Sequence, residues 1–183
     1  ASHPFPRPLN KSLNFVVELD GKDAFGRASG MAIVQAPRIL PRAIRLPESI
    51  CDGKDGFVFL SSILHEYVYK LFRGMTVKGC HQFRLTRDSD LTVEEDDLSN
   101  LRTAIQNELR DRDFGDGMRL EIADQCPDYI SQFLLEQFKL TRDELYQVEG
   151  PVNLVRLISV PDKVNRPDLK FAPFTPQYPR ALR

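Results

Sequence analysis

The pattern KGCHQFRLTRDSDLTVEEDDLSNLRTAIQNELRDR, residues 78–112, predicts a strand, an acidic turn and a helix in succession. Side chains alternate between the two faces of a strand, so Phe83 and Leu85 share one face and mark it as buried. The same alternation places Arg84 on the other face and lets Arg87 project at the end of the strand, where the sheet meets solvent. The segment therefore predicts a βα unit on which the other elements pack.

The predicted helix follows the acidic turn and has one apolar face. Thr92, with Glu95 three residues later, forms the capping-box pattern that starts helices. Leucine and isoleucine then recur at steps of three and four, which is the spacing of a single helical face. The members of this stripe are Leu98, Leu101, Ile105 and Leu109.

The rest of the chain interleaves further strands and helices. Residues 12–34 contain a strand, the turn Asp20-Gly21 and a returning strand, which predicts a hairpin. Interleaved elements behind a hairpin indicate an α+β fold, with helices packed on a mixed β-sheet, rather than a strictly parallel sheet. A short strand that crosses the sheet edge is predicted within residues 37–47, and further short strands are predicted at 57–60, 118–122 and 146–148. Helices are predicted to start at Ser61 or Ser62, at Pro127 and near Leu154.

Proline-rich segments lie at both ends of the chain. Residues 1–11 cannot be helical because proline stands at alternate positions, so we expect an extended connector there. Residues 161–183 are again rich in proline and predict a linker towards an absent C-terminal domain. A single domain over residues 1–160 is the default for a chain of 183 residues, and a start at Ala1 rather than Met suggests a piece of a longer protein.

Charge and cysteine content narrow the class of protein. The net charge of −1 combines +4 over residues 1–45, −8 over the middle and +3 over residues 161–183. Basic ends suit a polyanion or an acidic neighbouring domain, although charge that merely solvates the surface is the simpler interpretation. Three cysteines without a CxxC pair favour buried thiols in a reducing compartment. No apolar run approaches the roughly 18 residues of a membrane span.

Residue patterns that would carry catalysis are incomplete. His65-Glu66 lacks the second histidine that a zinc-protease helix needs one turn later. Residues 21–28 imitate a phosphate-binding loop but lack its lysine and its hydroxyl residue. Neither His65 nor the other two histidines, His3 and His81, has a nucleophile or carboxylate at a useful spacing. The residues therefore predict no catalytic, cofactor-binding or metal-binding set in this chain.

Arginines are the more informative polar residues. One proline-rich segment contains three arginines, Arg38, Arg42 and Arg45. Two more, Arg84 and Arg87, lie at the end of the central strand. A guanidinium group suits phosphate because its fork donates to two oxygens at once. Ion pairs with the acidic middle of the chain, or simple solvation, are the alternative, which we favour for Arg45. Candidate contacts to a phosphate-bearing ligand are Arg38, Arg42, Arg84 and Arg87.

Five short segments stand out by their order along the chain: SHPFP at 2–6, SLN at 12–14, LPR at 40–42, FRLTRDSDL at 83–91 and PFTP at 173–176. In this order they resemble the middle, or head, domain of bacterial polyphosphate kinase. The resemblance covers essentially the whole chain, and five ordered matches are far more specific than any one of them. Ala172 departs from the pattern, since the family more often has proline there.

The resemblance implies a large cytoplasmic enzyme that reversibly transfers the γ-phosphate of ATP to inorganic polyphosphate through a phosphohistidine. In that family the phosphorylated histidine and most metal and nucleotide ligands lie in C-terminal domains, and no histidine of this chain matches the phosphorylated position. The family's head domain resembles the phosphohistidine phosphatase fold and contributes to dimerisation and to the polyphosphate tunnel. The resemblance therefore implies a non-catalytic head domain, with ATP and Mg²⁺ expected for the full-length enzyme and no cofactor in this chain.

The expected partners follow from the same resemblance. They are other domains of the enzyme and a second subunit, with inorganic polyphosphate as a candidate ligand and with neither a membrane span nor a specific nucleic acid. We expect Phe5, Phe171 and Phe174, in the connectors, to expose apolar surface that these partners cover. A stand-alone polyanion-binding module that uses the same arginines remains the alternative, and its binding should weaken steeply with salt.

Overall fold

A five-stranded sheet forms the centre of the fold in the computed structural model, which describes residues 5–22, 26, 30–88 and 116–177. Its strands are β1 (Asn14–Gly21), β2 (Met31–Gln35), β5 (Met75–Arg87), β6 (Gly117–Ala123) and β7 (Leu145–Val148). They lie in the order β2-β1-β5-β6-β7. A separate two-stranded sheet pairs β3 (Ala43–Arg45) with β4 (Phe57–Phe59).

The main sheet is mixed, as the sequence predicts. Strands β6 and β7 pair in parallel, whereas β1 pairs with β2 and with β5, and β5 with β6, in antiparallel fashion. The pairing of β1 with β2 confirms the hairpin predicted over residues 12–34. The turn predicted at Asp20-Gly21 is wrong, because both residues belong to β1 and pair with Thr76 and Met75 of β5. The strand predicted to end at Arg87 is confirmed and begins earlier than expected, at Met75.

Two α-helices lie among the described residues, α1 (Leu60–Tyr67) and α2 (Asp128–Phe138). Helix α2 begins at Asp128, one residue later than predicted, and Pro127 is its N-cap with a ψ of 143°. The long helix predicted from Thr92 to Leu109 lies outside the described residues. Short 3₁₀ helices span Glu48–Ile50, Val68–Leu71, Arg142–Glu144, Leu154–Ser159, Pro161–Lys163 and Pro167–Leu169.

Apolar side chains cover both faces of the main sheet, so its central strands are buried on two sides. On β1, Val16 faces the cluster that includes α2, whereas Phe15 and Val17 face the cluster that includes Val68 and Val152. This burial explains why β1 is apolar at successive positions rather than only at alternate ones. The α2 cluster has its largest buried members in Phe83, Leu85, Leu120, Ile122, Ile130, Leu134 and Leu135.

Local predictions around α1 and β3 need correction. Helix α1 begins at Leu60, so neither Ser61 nor Ser62 is its N-cap, and Ser61 is buried inside the first turn. The chain tightens into a 3₁₀ turn at Val68, so α1 ends at Tyr67, whose side chain is exposed. Strand β3 pairs with β4 in the smaller sheet and does not cross the edge of the main sheet.

The connector phenylalanines divide into two groups. Phe171 and Phe174 are exposed by 102% and 89%, which confirms the exposed apolar side chains predicted there. Phe5 was expected to be exposed, but it is half-buried, and its ring lies 5.6 Å from that of Phe133 and 5.7 Å from that of Phe138. The first connector therefore packs onto α2, because edge-to-face aromatic contacts stabilise it there.

Among the described residues, no helix combines the length and the apolar character needed to cross a membrane.

Candidate functional site

Arg84 lies on the sheet and forms an ion pair with the neighbouring strand. It stands directly opposite Glu121 on β6, with Nη1 3.0 Å from Oε2, in an alignment outside hydrogen-bond geometry. Both side chains are largely buried, with exposed fractions of 17% and 13%. The other oxygen of Glu121 accepts a hydrogen bond from Arg119 Nη2 at 3.1 Å, and the Arg119 guanidinium lies 4.0 Å from the ring centre of Tyr146. Arg84 is therefore held by opposite charge within the sheet.

Arg87 was predicted to project into solvent, and this prediction is wrong because the side chain is only 7% exposed. Its Nε donates to the carbonyl of Pro8 at 3.3 Å, and its backbone N–H donates to Asn10 Oδ1 at 2.9 Å. The guanidinium lies 6.0 Å from the ring centre of Phe138. Burial, followed by the positive charge of Arg7, lowers the pKa of Arg87. Arg87 thus ties the first connector to the end of β5.

The other two candidate arginines line an open cleft of about 340 Å³. Arg38 and Arg42 reach it from the loop between β2 and β3, and Arg156 reaches it from the 3₁₀ helix Leu154–Ser159. Arg38 also donates from Nη2 to the carbonyl of Asn10 at 2.8 Å. The remaining lining residues are Ile39, Leu40, Pro41, Ile158 and Ser159.

Backbone hydrogen bonds fix the chain around Arg42. The N–H of Leu60 donates to the carbonyl of Arg42 at 2.9 Å, and Ala43 pairs with Phe59 across the two-stranded sheet. Lys163 Nζ donates to the carbonyl of Ala43 at 2.6 Å. Because these bonds come from two distant segments, residues 59–60 and Lys163, the position of Arg42 depends on the tertiary fold and not on its own loop.

The electrostatics of the cleft are dominated by positive charge. Burial lowers the pKa of Arg42, and the charges of Arg156 and then Arg38 lower it further. Arg42 Nη1 is buried and has no hydrogen-bond partner among the described residues. A buried donor without an acceptor costs free energy, which an anion in the cleft would offset.

A smaller cavity of about 20 Å³ lies against the same arginine. It is lined by Arg42, Ser61 and Asn153, and its volume is enough for about one water molecule. Asn153 has a φ of 68°, a left-handed conformation that asparagine tolerates better than most residues. Its amide atoms are buried without partners in the part of the chain that the structure describes. This corner therefore concentrates unused polar groups around Arg42.

The histidines and cysteines do not converge on a metal or nucleophile site in the described ranges, where no group of three His, Cys, Asp or Glu side chains could hold a metal ion. His65 is exposed, and His3 lies outside those ranges. Burial lowers the pKa of His81, the charge of His65 lowers it further, and Glu18 acts in the opposite direction. Cys80 and Cys126 are buried free thiols, as the sequence suggests, and Cys51 is half-buried.

Thiol chemistry gives a direct test of this packing. Burial raises the pKa of Cys80 to about 11, and burial with the charge of Asp128 raises that of Cys126 to about 12. The thiolate is the reactive form, so we expect Cys51 to react with a thiol reagent at pH 8 at least ~10 times faster than the other two. Mass spectrometry of partly labelled protein measures the three rates. Equal rates in the folded chain would contradict the buried assignment, and equal rates in urea are the control.

Sequence reasoning found two of the three arginines at the cleft and missed Arg156. Arg38 and Arg42 were singled out because they share one segment, whereas Arg156 lies in a short helix far along the chain. A single basic residue on a short helix carries no signal of its own, since surface arginines are common. Only the tertiary contact between the two segments shows that Arg156 belongs with the others.

Comparison with known proteins identifies relatives of the whole chain. The family model for the polyphosphate kinase middle domain matches residues 1–160. The polyphosphate kinase of Neisseria gonorrhoeae is 75% identical over 181 residues, which cover 99% of this chain and 26% of that protein. The polyphosphate kinase of Pseudomonas aeruginosa is 54% identical over 182 residues, which cover 100% of this chain and 26% of that protein.

A solved structure supports the fold. The crystal structure of polyphosphate kinase from Porphyromonas gingivalis superposes with a TM-score of 0.61 at 20% sequence identity, covering 94% of this chain and 23% of that one. At this level of identity the match speaks for the fold alone, and it confirms the α+β class with a mixed sheet. The chain spans about a quarter of the length of the curated relatives it matches.

Proposed function

The chain belongs to the polyphosphate kinase family, of which it is the middle domain, and we propose that it acts as a non-catalytic head domain of such an enzyme. The parent enzyme would transfer the γ-phosphate of ATP reversibly to inorganic polyphosphate in the cytoplasm, through a phosphohistidine and with Mg²⁺. This domain would support dimerisation and form part of the polyphosphate tunnel.

The extent of the match is the observation that carries the proposal. The middle-domain family model accounts for 160 of the 183 residues, while the whole chain corresponds to about a quarter of each curated relative. Most of the length of those relatives therefore lies outside the region that matches this chain. We place the phosphohistidine and the nucleotide ligands in that remainder, which leaves binding and assembly as the functions of this domain.

Exposed apolar side chains support a role in assembly. Phe171 and Phe174 are almost fully exposed, and Ile39 and Ile158 are exposed by 92% and 80% at the rim of the arginine cleft. Large exposed apolar groups are typical of surfaces that contact other domains or subunits. We assign these surfaces to the other domains of the enzyme and to a second subunit.

The candidate arginines differ in how accessible they are to polyphosphate. Arg38 and Arg42 line an open cleft, where a phosphate chain has access. Arg84 is paired with Glu121, and Arg87 is buried against the first connector, so either would have to leave an existing contact to bind phosphate. Contacts from Arg84 and Arg87 stay predictions, whereas the cleft is the favoured location.

Turnover by the isolated chain tests the proposal. We expect the purified 183-residue protein, supplied with ATP and Mg²⁺, to form no polyphosphate above the background of a reaction without protein. Radiolabelled ATP with separation of acid-insoluble product measures this, and a full-length polyphosphate kinase assayed in parallel is the positive control. Polyphosphate formation that copurifies with the chain through successive columns would contradict a non-catalytic role.

The second candidate is a stand-alone polyanion-binding module. The positive charge around Arg42 favours it, because such a module needs an accessible basic surface and no catalytic group. It shares with the first candidate the expectation of salt-sensitive binding to polyphosphate. It differs in requiring no other domain for function, so a loss of polyphosphate kinase activity when this domain is deleted from a full-length enzyme would favour the first candidate.

A further inference from the structure

The geometry of the arginine cleft points to a specific ligand class. Arg38, Arg42 and Arg156 line one cleft, although Arg156 is far from the other two along the chain. We propose that this cleft is a phosphate-binding site in which the three guanidinium groups converge on the oxygens of one phosphate group of a longer chain. The proposal rests on the proposed function for the identity of the ligand, and on the residues of the cleft for its location.

The charge of the cleft favours an anion over a neutral ligand. The lining residues include three arginines and no carboxylate among the residues that the structure describes there. The described lining of the cleft therefore brings three positive charges together.

Arg42 has the geometry expected of the central donor. Its backbone is fixed by the hydrogen bond from Leu60 and by the pairing of Ala43, so the side chain starts from a defined position. Its Nη1 is buried without an acceptor in the described part of the chain. Burial lowers the pKa of Arg42 most, and repulsion from Arg156 and Arg38 lowers it further; an oxyanion between the guanidinium groups would relieve that repulsion. A bound phosphate would therefore supply the missing hydrogen-bond acceptor and reduce the repulsion between the arginines.

Size and access suit one end or one turn of a phosphate chain. The cleft volume of about 340 Å³ is many times the roughly 10–15 Å³ that a cavity needs to hold one water molecule, which leaves room for a phosphate group and its hydration. The cleft is open, so a chain could continue beyond it into solvent or into a neighbouring domain. Leu40 and Pro41 form part of its wall, and the fixed φ of Pro41 restricts the loop that carries Arg42.

Calorimetric titration of the 183-residue chain with three ligands tests the inference. The ligands are orthophosphate, long-chain polyphosphate and ATP, each at low and moderate salt, which distinguishes a free phosphate, a phosphate chain and a nucleotide as the source of the group. We expect polyphosphate to bind most tightly, with an affinity that falls as salt rises because bound phosphates release counterions.

Arg156→Gln is the decisive variant because Arg156 is exposed and lies outside the buried core, so the fold should survive its replacement. Loss of one charge-assisted contact is expected to weaken polyphosphate binding about tenfold and to reduce the salt slope by about one. Arg142→Gln is the matched control: it removes one exposed positive charge from a 3₁₀ helix that does not line the cleft. The control should change the affinity by less than about twofold.

The possible outcomes separate this inference from the proposed function. No detectable binding of any of the three ligands at low salt, or equal losses in Arg156→Gln and Arg142→Gln, would overturn the phosphate site; the cleft would then fit an acidic protein segment instead. A tenfold loss specific to Arg156→Gln supports it, and the tightest ligand identifies the source of the phosphate. Polyphosphate synthesis by the isolated chain would overturn the non-catalytic role without affecting this result.

Discussion

Replacement of Phe138 by alanine is expected to lower the free energy of unfolding by about 3–5 kcal/mol, the range for removing a large buried aromatic side chain. The Phe138 ring is 7% exposed and has its centre 5.7 Å from that of Phe5 and 6.0 Å from that of Phe83. The guanidinium of Arg87 lies 6.0 Å from the centre of the same ring. These neighbours belong to the first connector and to β5, so the cavity left by the substitution cannot close by moving one element. Urea unfolding followed by circular dichroism measures the change.

Phe171→Ala is the matched control for this substitution. It makes the same chemical change at a side chain that is 102% exposed, and we expect it to alter stability by no more than about 0.5 kcal/mol. A loss for Phe138→Ala that is no larger than the control would show that the first connector and α2 do not pack on β5 as described. A large loss for both would point instead to burial of Phe171 in an oligomer.

Replacement of Arg87 by alanine is expected to lower the free energy of unfolding by about 2–3 kcal/mol. The substitution removes the hydrogen bond from Nε to the carbonyl of Pro8 and the packing of the side-chain stem beside Phe138. It also leaves the Pro8 carbonyl without this donor in a buried position. The same urea titration measures the effect, and it should appear as a shift of the midpoint without a change of slope.

Two further variants separate the charge of Arg87 from its bulk. Arg87→Met keeps an unbranched apolar stem and should recover part of the loss, whereas Arg73→Ala removes an exposed arginine and should be close to neutral. An Arg87→Ala protein as stable as Arg73→Ala would contradict the structural role. If the role holds, a polyphosphate-binding assay based on an Arg84→Ala/Arg87→Ala double variant would confuse loss of fold with loss of ligand contacts. Arg156 is the better position for that assay.

Much of the fold could be predicted because it depends on local patterns. Alternation of apolar side chains identified the buried face of β5 through Phe83 and Leu85, and it also identified the two strands of the β1–β2 hairpin. The capping box of Thr141 and Glu144 is a local pattern of the same kind, and it is present in the structure. Each of these features involves residues close together in the sequence, so composition and spacing carry the information.

Features that depend on distant partners were not predicted. The first turn of α1 was assigned to a serine cap, but the helix begins at Leu60, whose N–H donates to the carbonyl of Arg42. Phe5 was expected to be exposed, because an extended proline-rich segment gives no sign of the aromatic pair that receives it on α2. In both cases the decisive contact joins segments that are separated by other elements.

The candidate site divides in the same way. Residue types and spacing alone identify arginines suited to phosphate, and the order of short segments such as LPR at 40–42 identifies the family. The environment of each arginine is set by tertiary structure: strand pairing places Glu121 beside Arg84, the first connector covers Arg87, and Arg156 meets Arg42 across a cleft. Guanidinium groups are chemically alike, so their roles depend on which charges and acceptors surround them. Those neighbours come from distant parts of the chain, which only the folded structure brings together.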